Sequence, residues 1–202
     1  MPGRPVEADW EIEIGGDAPV IDAAWAGFVD LRVDAERVDE IAEIAHLYGL
    51  RQALVRLNGP GSSVWTAKCD VWDVDEFDRD ELDAAREDAG RAVACYLDLL
   101  PCGDKEWASP ATAGNWCEQC VCLLRGVPLR NCRADFVVRC AWIGHDVAEL
   151  GVTAYLTACG ASSAAAQASL SAALATLVSA VVPASSIGAE GSQYYNESNS
   201  GE

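Results

Sequence analysis

The sequence predicts an α+β protein in which one mixed sheet of about six strands carries helices packed on it. Three kinds of segment lead to this prediction: alternating apolar and polar residues, a continuous apolar run, and apolar residues at helical spacing. With 202 residues, of which 50% are hydrophobic, the chain is long enough for one sizeable core. We expect residues 1–183 to form a single domain, followed by a disordered polar tail over residues 184–202.

The N-terminal part of the chain predicts two strands and an interrupted helix. Trp10–Ile14 alternates strictly and is stopped by two glycines, which is typical of a half-exposed strand. A second strand is expected at about residues 27–32. Asp34 is a suitable N-cap for a helix that runs to about Leu47, where Gly49 interrupts it before a further turn or two.

The middle of the chain predicts two strands and an exposed helix. Val64–Val74 alternates cleanly and predicts a strand. Its apolar face would consist of Trp65, Ala67, Cys69 and Val71, and its polar face of Thr66, Lys68 and Asp70. Asp80–Arg91 is typical of an exposed helix. Val93–Leu100 is a nearly continuous apolar run ended by a proline, which indicates an interior strand.

The C-terminal part predicts a helix over Thr112–Arg125, strands over Arg133–Trp142 and Val152–Cys159 around a turn at 144–146, and a last helix. The last helix, within Ala161–Val182, is free of charged residues. We interpret it as buried rather than membrane-spanning, because it consists mostly of Ala and Ser and lacks flanking Lys or Arg. One face of this helix carries Leu170, Leu174, Leu177 and Val181.

An internal correspondence suggests that the sheet is built from two related strand–helix–strand halves, residues 27–74 and 95–142. The segment Phe28-Val29-Asp30-Leu31 resembles Tyr96-Leu97-Asp98-Leu99, and a predicted helix follows each. Aligning Cys69 with Cys140 then pairs the two following strands. This pattern predicts a duplication with a pseudo-twofold axis.

The charge excludes several classes of partner. The chain has 14 basic and 32 acidic residues, a formal net charge of −18, and all of its basic residues precede Gly151. Nucleic acids and anionic lipids are recognised through clustered Lys and Arg. We therefore expect neither nucleic acid nor a membrane as a partner.

The cysteines indicate the redox compartment. The N-terminal residues contain no apolar stretch of the kind that a secretory signal requires, and the chain has nine cysteines, an odd number. Without export, cysteines are expected to remain reduced. The sequence therefore predicts a cytoplasmic protein with free thiols.

The sharpest local motif is Trp116-Cys117-Glu118-Gln119-Cys120. It is similar to the Trp-Cys-x-x-Cys motif of thioredoxin-like oxidoreductases, in which the first thiol attacks a disulfide. The resemblance would make Cys117 and Cys120 a redox pair. The alternative is that both thiols pack in the core, because they share a helical stripe with Ala113 and Leu124.

The other candidate residues are interpreted as structural. A zinc site would combine Cys117, Cys120, Cys122 and Cys132, but their spacing does not give two close pairs of ligands. His46 and His145 are the only histidines, and neither belongs to a catalytic motif. The acid-rich segment from Asp70 to Asp88 lacks the glycine and glutamate of a calcium loop. Ser162 or Ser163 is expected to cap the last helix instead of marking a phosphate site.

The sequence thus predicts a soluble protein that acts by binding or self-association rather than by catalysis, with a homodimer as its assembly. Two alternatives remain open. One is a thiol–disulfide oxidoreductase that uses Cys117 and Cys120. The other is a pocket between the two related halves for a small ligand that is not polyanionic. No cofactor and no metal are expected.

Overall fold

The protein forms two layers, a six-stranded mixed sheet and a layer of three helices packed on one of its faces. The computed structural model describes residues 4–23, 25–103, 107–144 and 148–182. This confirms the predicted α+β class and the mixed sheet. The predicted polar tail over 184–202 and the histidine at 145 lie outside the described residues.

The strands are β1 (Glu7–Ile12), β2 (Ile21–Asp22), β3 (Val64–Val74), β4 (Arg91–Pro101), β5 (Cys132–Trp142) and β6 (Ala148–Gly160). They lie in the order β1-β5-β6-β4-β3, and the short β2 also pairs with β5. The pairs β3–β4, β4–β6 and β6–β5 are antiparallel, whereas β1 and β2 run parallel to β5. The continuous apolar strand β4 is therefore an interior strand, as predicted.

The helices are α1 (Tyr48–Leu57), α2 (Pro110–Arg125) and α3 (Ser163–Val181). α3 lies over the central strands β6 and β4, with α1 on one side of it and α2, which also contacts β1, on the other. Ser109 and Thr112 form a capping box at the start of α2, and the Ser162 hydroxyl accepts a hydrogen bond from Ala165 N at the start of α3.

One core fills the space between the sheet and the helices. On β5, the alternate residues Cys132, Ala134, Phe136 and Val138 all lie in this core. α3 is long and apolar enough to cross a membrane by length and composition alone, and its Leu side chains are buried against the sheet. The largest fully buried side chains include Leu50, Leu54, Leu97, Phe136, Leu156, Leu170 and Leu174.

Residues 27–32 do not form the predicted strand. Gly27 has φ of +101°, and the side chain of Asp30 accepts hydrogen bonds from the backbone N–H and the guanidinium of Arg32. These local bonds hold a turn instead of an extended strand. The first sheet contact in this region comes earlier, at β2.

The predicted helix from Asp34 to Leu47 is present only as two short 3-10 helices, Ala35–Glu40 and Ala42–Ala45. Asp34 caps the first, as predicted, by accepting a hydrogen bond from Glu36 N. Gly49 does not end a helix, because it lies in the first turn of α1. A Cβ atom at Gly49 would lie 2.8 Å from Ser171 Cβ, so the glycine allows α1 to approach α3 closely.

Asp80–Arg91 is a loop rather than an exposed helix, with only a short 3-10 turn at Arg86–Asp88. Asp83 adopts a left-handed conformation with φ of 50°, and the Asp78 carboxylate accepts a hydrogen bond from Asp80 N. Closely spaced acids repel one another on a helix surface. Leu82 nonetheless anchors the loop by packing against the sheet.

The predicted faces of β3 are wrong after Ala67, its fourth residue. Register pairs Thr66 with Leu99 and Lys68 with Asp98, so Ala67 is an extra residue in a β-bulge. The bulge places Lys68 on the same face as Trp65 and Ala67, away from the helices. A regular alternation cannot reveal such an insertion, because one extra residue reverses the direction of every side chain that follows.

Candidate functional site

The face of the sheet that carries no helix is covered at its two ends and open between them. Loop and strand side chains form one small apolar cluster around Ile21, Trp65 and Leu100, and another around Leu82 and Cys159. Between these clusters lies a strip of polar and aromatic side chains from four neighbouring strands. We call this strip, with the cavity above it, the open-face site.

Strand register explains why these side chains meet. In one cross-strand row, Lys68 of β3 lies opposite Asp98 of β4, and Asp98 lies opposite Thr153 of β6. In the next row, Tyr96 of β4 lies opposite Tyr155 of β6. Residues of one parity point to one face of a sheet, so both rows line the open face.

A chain of hydrogen bonds links three strands and the end of β1. The Thr153 hydroxyl donates to Asp98 Oδ1 over 2.7 Å, and Arg139 Nη1 donates to Thr153 Oγ1 over 3.1 Å and to the Tyr155 hydroxyl over 2.9 Å. The other side of the same guanidinium donates to Glu13 Oε2 over 2.8 Å and 3.1 Å. Arg139 is thereby fixed, and its charge is compensated by Glu13.

Asp98 is the chemically unusual member of the site. Its side chain belongs to a residue only 8% exposed, and burial raises the pKa of this carboxyl although Thr153, Arg139 and Lys68 favour the ionised form. Among the described residues, no hydrogen bond engages its second oxygen, Oδ2. This oxygen is not among the buried atoms that lack a partner, and Asp98 is one of the residues that line the cavity.

Aromatic rings form a continuous row beside Asp98. Trp72, Tyr96 and Tyr155 follow one another across β3, β4 and β6 with ring centroids 6.1 Å and 6.0 Å apart. The Arg139 guanidinium lies 5.6 Å from the centre of the Tyr155 ring. Burial and the nearby Asp98 raise the pKa of Tyr96, so its hydroxyl stays protonated and able to donate a hydrogen bond.

A cavity of about 370 Å³ lies directly above these groups. Its floor is the Asp98, Thr153 and Arg139 network, and its wall is the segment from Pro19 to Asp22 together with Trp25. Gly151 makes this wall possible, since a Cβ atom there would lie 2.7 Å from Ile21 Cδ1. The volume falls in the range of small-molecule sites, about 300–1,000 Å³.

Lys68 lies at the boundary of the cavity. Its ammonium group is 6.0 Å from the centre of the Trp25 ring, and among the described residues it forms no hydrogen bond or ion pair. The site therefore offers one compensated cation, one cation without an ion pair among the described residues, the carboxyl groups of Asp98 and Asp22, and tyrosine hydroxyls. Such a set suits the hydrogen-bond acceptors of a small molecule rather than a metal ion.

The cysteine pair from the resemblance to thioredoxin-like proteins lies elsewhere. Cys117 and Cys120 are inside α2, facing the sheet in the main core with at most 3% exposure. Burial raises the pKa of each thiol to about 12. Reactive cysteines have lowered pKa values and access to solvent, so this environment is that of structural thiols.

The remaining candidate residues do not meet at one site. Cys122 is exposed, on the side of α2 away from Cys117 and Cys120, whereas Cys132 is buried on β5. His46 is exposed at the end of the second 3-10 helix. In the part of the chain that the structure describes, no three His, Cys, Asp or Glu side chains form a group that could hold a metal ion.

Sequence reasoning missed the open-face site. One signal was available: Asp98 is the only charged residue inside the apolar run Val93–Leu100. A carboxyl in an interior strand carries a desolvation cost that apolar residues avoid. Arg139 and Thr153 also share the parity of the open face, but pairing them with Asp98 requires the strand order, which the sequence did not predict.

Comparisons with protein-family models, curated proteins and solved structures each found no match. The open-face site is therefore interpreted from its own geometry.

Proposed function

We propose that the protein binds a small molecule in the open-face site, without catalysing a reaction on it. This corresponds to the small-ligand alternative of the sequence-based prediction, with the pocket located on the open face of the sheet. The single observation that carries the proposal is Asp98, a nearly buried carboxyl that lines a cavity of about 370 Å³.

The cost of Asp98 supports a role in binding. A carboxyl in an interior strand carries a desolvation cost that an apolar residue in the same place would avoid, and Asp98 lies in the interior strand β4. Here only Oδ1 is bonded, to Thr153, although Arg139 is near enough to bond the same hydroxyl. Perturbed carboxyls inside clefts occur preferentially at functional sites.

The polar groups also define what the ligand must offer. The Tyr96 hydroxyl and the ammonium of Lys68 are donors, so the ligand needs acceptor oxygens or nitrogens. Trp25, Tyr96 and Tyr155 supply flat apolar surface beside these donors. A compact, partly planar organic molecule with one acceptor-rich end fits both requirements.

Three probes of nearly equal shape test the proposal: benzoate, benzamide and benzamidine, which are anionic, neutral and cationic. Binding is followed by ¹H–¹⁵N chemical shifts of the native protein. We expect millimolar or tighter binding of benzamide or benzoate, with shift changes centred on residues 96–98 and 153–155. Asp98→Asn should weaken the binding of benzamide about tenfold, because the amide nitrogen that replaces Oδ2 cannot accept a hydrogen bond from the ligand's own amide group.

Asp73→Asn is the matched control, since it removes an exposed carboxylate of β3 that does not line the cavity. It should leave binding unchanged. Failure of all three probes to shift the residues of the open-face site at 10 mM would overturn the proposal, as would equal binding by the Asp98→Asn protein.

Other sequence-based predictions remain proposals of their own. We propose that the protein is a homodimer, which sedimentation velocity would test, and that it is cytoplasmic, which cell fractionation would test. The duplication of residues 27–74 and 95–142 is likewise proposed. Residues 27–32 form no strand, so the proposed duplication is supported by the helix and the following strand of each half. These are α1 with β3 and α2 with β5.

A further inference from the structure

A second cavity of about 240 Å³ adjoins the open-face site at the edge of the sheet. It lies between the loop around Trp25 and Phe28, the segment from Glu40 to Glu43, α1, and the bulged part of β3. Phe28, Ile41 and Leu54 give it apolar walls. We call it the edge cavity.

The two cavities share part of their walls. Trp25 and Lys68 line both of them, and Trp25 is held in place by a 3.2 Å hydrogen bond from its indole N–H to the Ala67 carbonyl in the bulge. The bulge is thus the structural device that brings the second cavity next to the first. It turns Lys68 to the open face while leaving Cys69 and Thr66 at the edge cavity.

The edge cavity adds apolar side chains to this shared wall, and Thr66, Glu40 and Glu43 also line it. Asp98, Arg139 and Tyr155 belong to the open-face site alone, and Ile41, Leu54 and Phe28 belong to the edge cavity alone. The acid Glu40 of the edge cavity is already paired with Arg37. A ligand that occupies both cavities would therefore carry a polar end and an apolar end.

Charge determines the sign of the polar end. Arg139 is compensated by Glu13, whereas Lys68 has no ion pair among the described residues and lies across the strands from Asp98. A carboxylate between Lys68 and Asp98 would gain an ionic contact with the ammonium, and the raised pKa of Asp98 favours a proton shared between the two carboxyl groups. A cationic end would instead meet Lys68 and be repelled.

We propose that the ligand is an amphipathic carboxylate whose carboxyl group lies between Lys68 and Asp98 and whose apolar chain passes Trp25 into the edge cavity. This inference rests on the proposed function, since it specifies the ligand class of the same open-face site. It adds the edge cavity as a second binding region.

The test uses straight-chain carboxylates from acetate to octanoate, measured by titration calorimetry with the native protein. Each added methylene that enters the edge cavity should tighten binding about fourfold, because burial of one CH₂ contributes about 0.8 kcal/mol. Tightening should stop once the cavity is filled. Octylamine has the same chain length as octanoate but carries an ammonium group. It should bind at least tenfold more weakly than octanoate.

Two variants separate the two ends of the ligand. Lys68→Met keeps the length of the side chain and should remove the preference for octanoate over octylamine. Ile41→Phe reduces the volume of the edge cavity and should weaken octanoate about tenfold while leaving acetate unchanged. Ile44→Phe is the matched control, because Ile44 is also partly buried but does not line the cavity.

The outcomes distinguish this inference from the proposed function. If benzamide binds in an Asp98-dependent manner but the affinity of carboxylates does not grow with chain length, the inference is wrong and the proposed function stands. Tighter binding of octylamine than of octanoate also overturns the inference. If neither series binds, both proposals fail together.

Discussion

At the scale of single residues, Asp98 makes the sharpest prediction about stability. Its pKa is raised in the folded protein by burial, so the folded state holds this proton more tightly than the unfolded state does. Between the unfolded pKa of about 3.9 and the folded pKa, the folded state binds more protons, and stability therefore falls as pH rises through that window. Above the folded pKa the full penalty remains.

Asp98→Asn should remove this penalty while its side-chain oxygen still accepts the hydrogen bond from Thr153. We expect the variant to be roughly 1–3 kcal/mol more stable than the original protein at pH 7, and the gain to vanish near pH 3.5. Urea unfolding at a series of pH values measures this difference. Asp73→Asn, which alters an exposed carboxylate, should show no such gain, and a destabilised Asp98→Asn protein at pH 7 would contradict the argument.

The type of each residue predicted well whether its side chain is buried, but it did not predict which residues form the open-face site. The inward parity of Cys132 and the cap at Ser162 follow from local rules, and both are present in the structure. The open-face site is different, because Lys68, Asp98 and Thr153 are remote in sequence and meet only through strand order. No local rule pairs them.

At the scale of elements, long segments with a regular pattern were predictable. Short segments, and segments whose side chains bond the local backbone, were not. β4, α2 and α3 carry patterns of eight or more residues, and each is present. The failures at 27–32 and 80–91 share a cause, since side chains such as Asp30 and Asp78 bond the local backbone and stabilise turns. The bulge at Ala67 was not predicted for another reason, because its position depends on the pairing of β3 with a strand that is distant in sequence.

Gly49 gives a test of the contact between α1 and α3. An alanine inside a helix is normally favoured over glycine by about 1 kcal/mol. Here the added methyl group would lie 2.8 Å from Ser171 Cβ and 3.0 Å from its backbone, so the helices must separate. We expect Gly49→Ala to destabilise the fold by about 1–3 kcal/mol in urea unfolding.

The partner residue provides the control for this contact. Ser171→Gly alone should cost about 0.5–1 kcal/mol through helix propensity, and in that background Gly49→Ala should cost clearly less, because the contact with the Cβ at position 171 is gone while the 3.0 Å contact with its Cα remains. Additive effects of the two substitutions would show that the closeness of the helices is not what requires a glycine at position 49.

At the scale of the whole molecule, the two faces of the sheet differ in kind. One face is sealed by three helices, and the other is sealed only at its ends, which leaves the polar strip accessible. The class of the fold was predictable because it follows from composition and periodicity. The sequence did not predict which face stays open, because this depends on where the connections between strands cross the sheet.

The net charge of −18 makes the last prediction, which concerns the stability of the whole fold. Among the described residues, seven arginines are held in ion pairs, and most of these pairs are exposed, so each contributes little. The surplus acids repel one another more strongly in the compact state than in the expanded one. We expect raising NaCl from 20 mM to 500 mM to increase the free energy of unfolding by roughly 1–2 kcal/mol through screening of this repulsion. Urea unfolding at both salt concentrations measures the effect.

A variant with Asp75→Asn, Glu76→Gln and Glu81→Gln, all exposed in the acidic loop, should be more stable at low salt and gain less from added NaCl. A protein that loses stability as salt is added would show instead that its few ion pairs outweigh the repulsion among its acids.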